Sequence, residues 1–157
     1  MAISSQEDPN KDAVYEAEHA WQGRNPDAGA ELTSRQARLL SRQILTHPAL
    51  DGVPGVAEAR KSILARVNIR TGLINKMAPG MLGATNALGM TLYSKEHPLT
   101  VGTVTHETTH KILVKRGGVE PHGSEFSNLH AHVVKNVLGP VAGVNLNATY
   151  DRKGARR

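Results

Sequence analysis

Apolar positions recur at helical spacing in four stretches of the chain and alternate in a fifth. Val14, Ala17 and Trp21 stand three or four residues apart, with Glu18 on the same stripe, and Gly23 ends the segment. Asp8-Pro9-Asn10 reads as its start, with Asp8 as N-cap and Pro9 in the first turn, where a missing N–H costs nothing. Leu32-Thr33-Ser34-Arg35-Gln36 has the form of a capping box. Leu39, Leu40, Ile44 and Leu45 give that helix its apolar stripe, and His47-Pro48 stops it. Asp51-Gly52 and Pro54-Gly55 mark a turn region. Ala65, Val67 and Ile69 then alternate with Arg66, Asn68 and Arg70, the period of a half-buried strand, and Ala87 to Tyr93 reads as a second strand. A Gly-, Met- and Ala-rich loop with Pro79-Gly80 separates them. Pro98 to Gly117 reads as a helix capped by Thr100, with Lys111, Lys115 and Arg116 toward the negative end of its dipole and Gly117-Gly118 as a stop. A last helix is expected from about Gly123 to Leu138, with Phe126, Leu129, Val133 and Val137 on one face and Gly139-Pro140 ending it. Two helices, a short sheet and two more helices make an α+β domain. It is expected to span residues 1–157 as one unit, with 1–8 and 152–157 as flexible tails.

Composition narrows the class. A chain of 157 residues that is 39% hydrophobic and 21% charged is long and apolar enough to bury a core. Its aromatics are only Tyr15, Trp21, Tyr93, Phe126 and Tyr150, so aliphatic side chains must do most of the packing. No apolar run approaches the roughly 20 residues of a membrane span. The first residues have neither the basic start nor the apolar stretch of a signal peptide, which points to the cytoplasm. Cysteine is absent, and that excludes a disulfide scaffold and a thiol nucleophile. The formal charge of +5 is uneven. Residues 1–20 hold five acids and one lysine, giving −4, whereas residues 21–157 hold eighteen bases and nine acids, giving +9. A basic surface of this kind attracts nucleic acid or another polyanion, and the tail Arg152-Lys153-Gly154-Ala155-Arg156-Arg157 adds to it. So few aromatics argue against a base-stacking platform.

Five of the eight histidines fall between residues 106 and 132, and His106-Glu107-Thr108-Thr109-His110 is the decisive group. On an α-helix, residues four apart differ by about 40° in direction and about 6 Å in rise, so both imidazoles can face one ion. Imidazole nitrogens suit zinc, and Glu107 beside the first histidine is placed to take a proton from water. His122-Gly123 follows His110 after a double-glycine reversal that turns the chain back, making His122 the third expected ligand. Glu125 is its competitor, because a carboxylate from a following helix also completes zinc sites. His130 and His132 read as the solvated side of the last helix, with the alternative that one of them contacts substrate or supports a ligand from behind.

Thr105-His106-Glu107-Thr108-Thr109-His110 followed by Pro121-His122-Gly123-Ser124-Glu125-Phe126 resembles the zincin pattern of SprT-like metalloproteases. The chain is more closely similar to small zinc metallohydrolases of actinobacteria and their phages. Those combine an early Val-Tyr-x-Ala-Glu stretch, here Val14-Tyr15-Glu16-Ala17-Glu18, with a HExxH helix, a His-Gly-x-x-Phe helix start and a late Leu-Gly-Pro, here Leu138-Gly139-Pro140. The resemblance runs from about residue 13 to 151 and implies a zincin-like fold with metal chemistry. Thr105, Thr108 and Thr109 depart from it, since such positions are usually apolar, and the departure predicts a less tightly buried helix.

The expected function is therefore a zinc-dependent hydrolase, foremost a peptidase. His106, His110 and His122 would bind Zn²⁺, and Glu107 would act as general base on a peptide or protein substrate. Tyr93, His130 and Tyr150 are candidates for a second electrophile by residue type alone. An exposed edge on the strand Ala87–Tyr93 would let an extended peptide pair with it. The alternative is a basic nucleic-acid-associated or structural phage protein that keeps the zincin fold with little turnover. Nothing in the pattern specifies an oligomeric state.

Overall fold

The computed structural model describes residues 8–63, 99–118 and 120–156, with side chains omitted at 62 and 63, and the backbone alone of 67–70, 83–86 and 89–93. Its described body is all-α. Six α-helices follow one another among the described residues: α1 Lys11–Arg24, α2 Ser34–Thr46, α3 Val56–Ile63, α4 Val101–Arg116, α5 Ser124–Leu138 and α6 Pro140–Lys153.

The local signals act largely as their chemistry requires. Thr33 Oγ1 accepts from the Gln36 backbone N–H at 3.2 Å, and the Gln36 side chain accepts from the Thr33 N–H at 2.8 Å, closing the capping box. Thr100 Oγ1 accepts from the Thr103 N–H and starts α4. Gly117 and Gly118, at φ 74° and 67°, take the left-handed backbone that turns the chain out of α4. Asp8 is not the cap of α1; Asn10 occupies that position, and the Asp8 carboxylate goes elsewhere. In α2 the buried stripe is Ala37, Ser41, Ile44 and Leu45, which leaves Leu39 44% exposed.

The α+β expectation is corrected by two helices the pattern does not announce. Pro54-Gly55 reads as part of a turn and Gly139-Pro140 as a stop, yet each leads directly into a further helix, α3 and α6. Pro140 sits in the first turn of α6, where proline is well tolerated. Of the expected strands Ala65–Arg70 and Ala87–Tyr93, the backbone is extended over Val67–Arg70 and Gly89–Tyr93, while most of the loop between them lies outside the described residues. What is described there is short backbone pairing of 67–70, 83–86 and 89–93, four or five residues each.

Those two cores lie on opposite sides of α4. One joins Ala37, Ile44 and Leu45 of α2, Leu50, Val56 and Ala59 of the α3 region, and Val104 and Ile112 of α4. The other joins Val14, Ala17 and Trp21 of α1, Phe126, Ala131 and Val134 of α5, and Ala142, Leu146 and Tyr150 of α6, with Leu113 of α4. Trp21 Nε1 donates to the Ala142 carbonyl at 3.1 Å and ties α1 to α6 inside the second core. Enclosure from both sides explains why α4 is buried from Val101 through Thr109 without a polar face. The expected loosening by its threonines does not occur. Thr109 Oγ1 donates to the Thr105 carbonyl, Thr108 Oγ1 meets Ser41 Oγ at 3.0 Å, and Thr105 Oγ1 reaches the Gly102 carbonyl at 2.9 Å, so every hydroxyl is satisfied in place.

The stretch expected to be a loose C-terminal tail is held as far as Arg156. Arg152 and Lys153 belong to α6, Ala155 is fully buried, and Arg156 pairs with Asp151 at 2.7 Å. No helix among the described residues is long and apolar enough to cross a membrane.

Candidate metal centre

Three imidazoles meet where α4 passes the start of α5. His106 and His110 lie one turn apart on α4, and the reversal at Gly117-Gly118 returns His122 to them just before α5 begins. Nε2 of His110 lies 3.0 Å from Nε2 of both His106 and His122, and the remaining pair is 3.4 Å apart. His106 and His122 are buried and His110 is partly so. Phe126, the single phenylalanine of the chain, forms the floor, its ring centroid 4.8, 4.5 and 5.1 Å from those of His106, His110 and His122. Tyr15 covers the other side, stacked on His106 at 5.6 Å and edge-on to His122 at 5.3 Å. Glu107 is buried beside them, with its Oε1 3.9 Å from His106 Nε2.

Behind the imidazoles stand carboxylates. Both oxygens of the buried Glu18 accept from His106 Nδ1, at 2.9 and 2.7 Å. Glu18 Oε1 also accepts from Tyr150 Oη at 2.6 Å and lies 3.1 Å from His130 Nδ1. His130 is fully buried, not on a solvated face, with Nδ1 2.7 Å from Tyr150 Oη and Nε2 2.9 Å from Thr105 Oγ1. The Asp8 carboxylate accepts from His122 Nδ1. Tyr150 therefore faces Glu18 in the interior, and the side chain of Tyr93 lies outside the described residues. Glu125, the competitor of His122, is 50% exposed at its side chain and paired with Arg116 at 2.9 Å, away from the three imidazoles. His132 is partly exposed and reaches the Ala49 carbonyl.

Electrostatics follow from this packing. Burial pushes His110 down to about 2, and the neighbouring His106 and His122 add to the effect because three clustered imidazoles cannot all carry charge. Burial likewise lowers His122 and His130 against the pull of Asp8 and Glu18 respectively. Burial would raise Glu18, but the His106 and His130 rings hold it well below the usual carboxylate range. His106 is raised, since the Glu18 carboxylate outweighs the cost of burying its charge. Tyr15 is pushed up to about 12 by burial and the carboxylates around it, Glu107 first, and stays a protonated phenol.

The donor set is suited to a metal ion. His106, His110 and His122 present one nitrogen each, and Glu18, His106 and His130 form a second fully buried group with the same property. In the second group the Nδ1 atoms of His106 and His130 face Glu18 oxygens directly, and Glu18 accepts from Tyr150 as well. The first group is the better fit, because Nδ1–H donation by His106 and His122 leaves both Nε2 lone pairs facing His110.

Glu18 and Asp8 make contacts with the imidazoles that the residue pattern did not assign. For Glu18 a signal was present: a carboxylate on the apolar stripe of α1 must find partners when that stripe is buried. Comparison with protein-family models, with curated proteins and with solved structures returns no match, so the likeness to SprT-like zinc metallohydrolases rests on the motif residues alone.

Proposed function

We propose that the protein is a zinc-dependent hydrolase, with a peptide bond as the foremost substrate class. The observation that carries this reading is the convergence of three Nε2 atoms within 3.4 Å of one another, with the Glu107 carboxylate 3.9 Å from one of them. His106, His110 and His122 would hold Zn²⁺, which supplies when bound a Lewis-acid charge that lowers the pKa of water and polarises a carbonyl. Glu107, buried against the imidazoles, accepts the proton of the attacking water and returns it to the leaving amine. Phe126 and Tyr15 keep bulk water from the flanks of the three rings and fix their planes. Metal analysis of protein purified without chelator tests the reading. About one equivalent of zinc is expected, and less than about a tenth with no gain on reconstitution would overturn it.

A second reading, association with nucleic acid, is favoured by Arg35, Arg38 and Arg42, which stand exposed at helical spacing on the outer face of α2. Binding of duplex and single-stranded DNA across a salt series tests it, and affinity absent even at low salt removes it.

A further inference from the structure

We infer that α1 and the turn before it form an acidic clamp that sets the tautomers of two of the three metal-facing histidines; the inference rests on the zinc reading for its functional consequence. One short segment of chain, Asp8 to Glu18, supplies both carboxylates: Glu18 receives His106 Nδ1–H, and Asp8 receives His122 Nδ1–H. Neither carboxylate lies close to its histidine in sequence; the separations are 88 and 114 residues. A neutral imidazole has one N–H, so a proton committed at Nδ1 leaves Nε2 as a bare lone pair. The clamp therefore aims two lone pairs at one point, and the negative charge behind each ring makes that lone pair more basic.

Glu18 is itself held in place. Tyr150 of α6 donates to it at 2.6 Å and His130 of α5 lies 3.1 Å away, so a single buried carboxylate joins α1, α4, α5 and α6. A carboxylate buried to this degree is retained only when it is well partnered. His110 stands between the two clamped rings, and its Nε2 is 3.0 Å from each of theirs. Glu18 and Asp8 are positioning residues, because they touch the ligating rings and not the reacting atoms.

The test uses the full chain, Glu18→Gln, Asp8→Asn and the double variant. In the metal-free ¹⁵N-labelled wild type, at a pH above the raised titration of His106, long-range ¹H–¹⁵N correlation should show His106 and His122 as Nδ1–H tautomers. Glu18→Gln should move the His106 ring signals and leave His122 largely in place, and Asp8→Asn should do the reverse. Competition for zinc with a chromophoric chelator should show each single variant weakened by about 10–100-fold, and the double variant weaker than either. The cobalt-substituted variants should keep the absorption of a four-coordinate site, since no ligand has been removed. Zinc affinity equal to wild type in both single variants, or neutral His106 or His122 carrying its proton on Nε2 at that pH in the wild type, overturns the clamp. Nδ1–H tautomers in a wild type that takes up no zinc refute the zinc reading and support the clamp as a tautomer-setting device. Should Glu18→Gln fail to fold, Asp8→Asn lies ahead of α1 and outside both cores, and decides the matter by the same readouts.

Discussion

Thr105 illustrates how a single polar side chain is accommodated inside this protein. Its hydroxyl bridges the Gly102 carbonyl and His130 Nε2, both at 2.9 Å and out of water. Thr105→Val keeps the shape but strands a buried ring nitrogen, which should cost about 1–3 kcal/mol in urea denaturation of the metal-free protein. The same reasoning separates the roles within the candidate metal centre. Glu107→Gln preserves size and hydrogen bonding while removing the base, so zinc content should hold as hydrolysis falls by about 10²–10⁴-fold. His122→Ala should weaken zinc binding strongly, whereas Glu125→Ala should leave it near wild type, because Glu125 is engaged with Arg116 at the surface. The reverse result, measured by the same metal titration, would move the third ligand to Glu125.

At the scale of elements, α5 and α6 depend on close approach. A Cβ added at Gly143 would lie 2.7 Å from Lys135 Cβ and 3.1 Å from the Ala131 carbonyl, nearer than packed atoms tolerate. Gly143→Ala should therefore destabilise the protein by about 1–3 kcal/mol as the two helices move apart. Gly23 in α1 is the control, since a Cβ there meets nothing within 4 Å. Gly23→Ala should stabilise by up to about 1 kcal/mol through a less flexible unfolded chain. Paired thermal melts check both signs; equal shifts for the two variants would refute the packing argument.

Across the whole molecule, the candidate centre lies where the helices converge, with α1, α4, α5 and α6 all contributing to its ligands or their partners. Metal binding should then stabilise the fold as a unit. Zinc at about 100 times its dissociation constant should add about 2.7 kcal/mol, read as a rise in melting temperature that EDTA abolishes. His106→Ala and His110→Ala should lose most of that rise while still melting cooperatively without metal.

Local chemistry made much of this protein readable from residues alone. The capping box of α2, the Thr100 start of α4 and the glycine stop after it depend on neighbours within a few positions, and so did the pairing of His106 with His110 on one helix face. The motif also pointed to His122, because a glycine reversal has only a short way to carry the chain. Other features were decided by packing between distant segments. The α3 and α6 helices follow proline and glycine signals that serve equally as an end or a beginning, and burial against α4 and α5 selects the latter. An α+β fold was expected because alternation in a short stretch suggests a strand, but the described cores are filled by helices from both sides. His130 was assigned to solvent by its helix position, yet α6 covers that face and brings Tyr150 to it. Asp8 and Glu18 reach histidines about a hundred residues away, a distance across which sequence spacing carries no geometric information and only the folded chain supplies the contact.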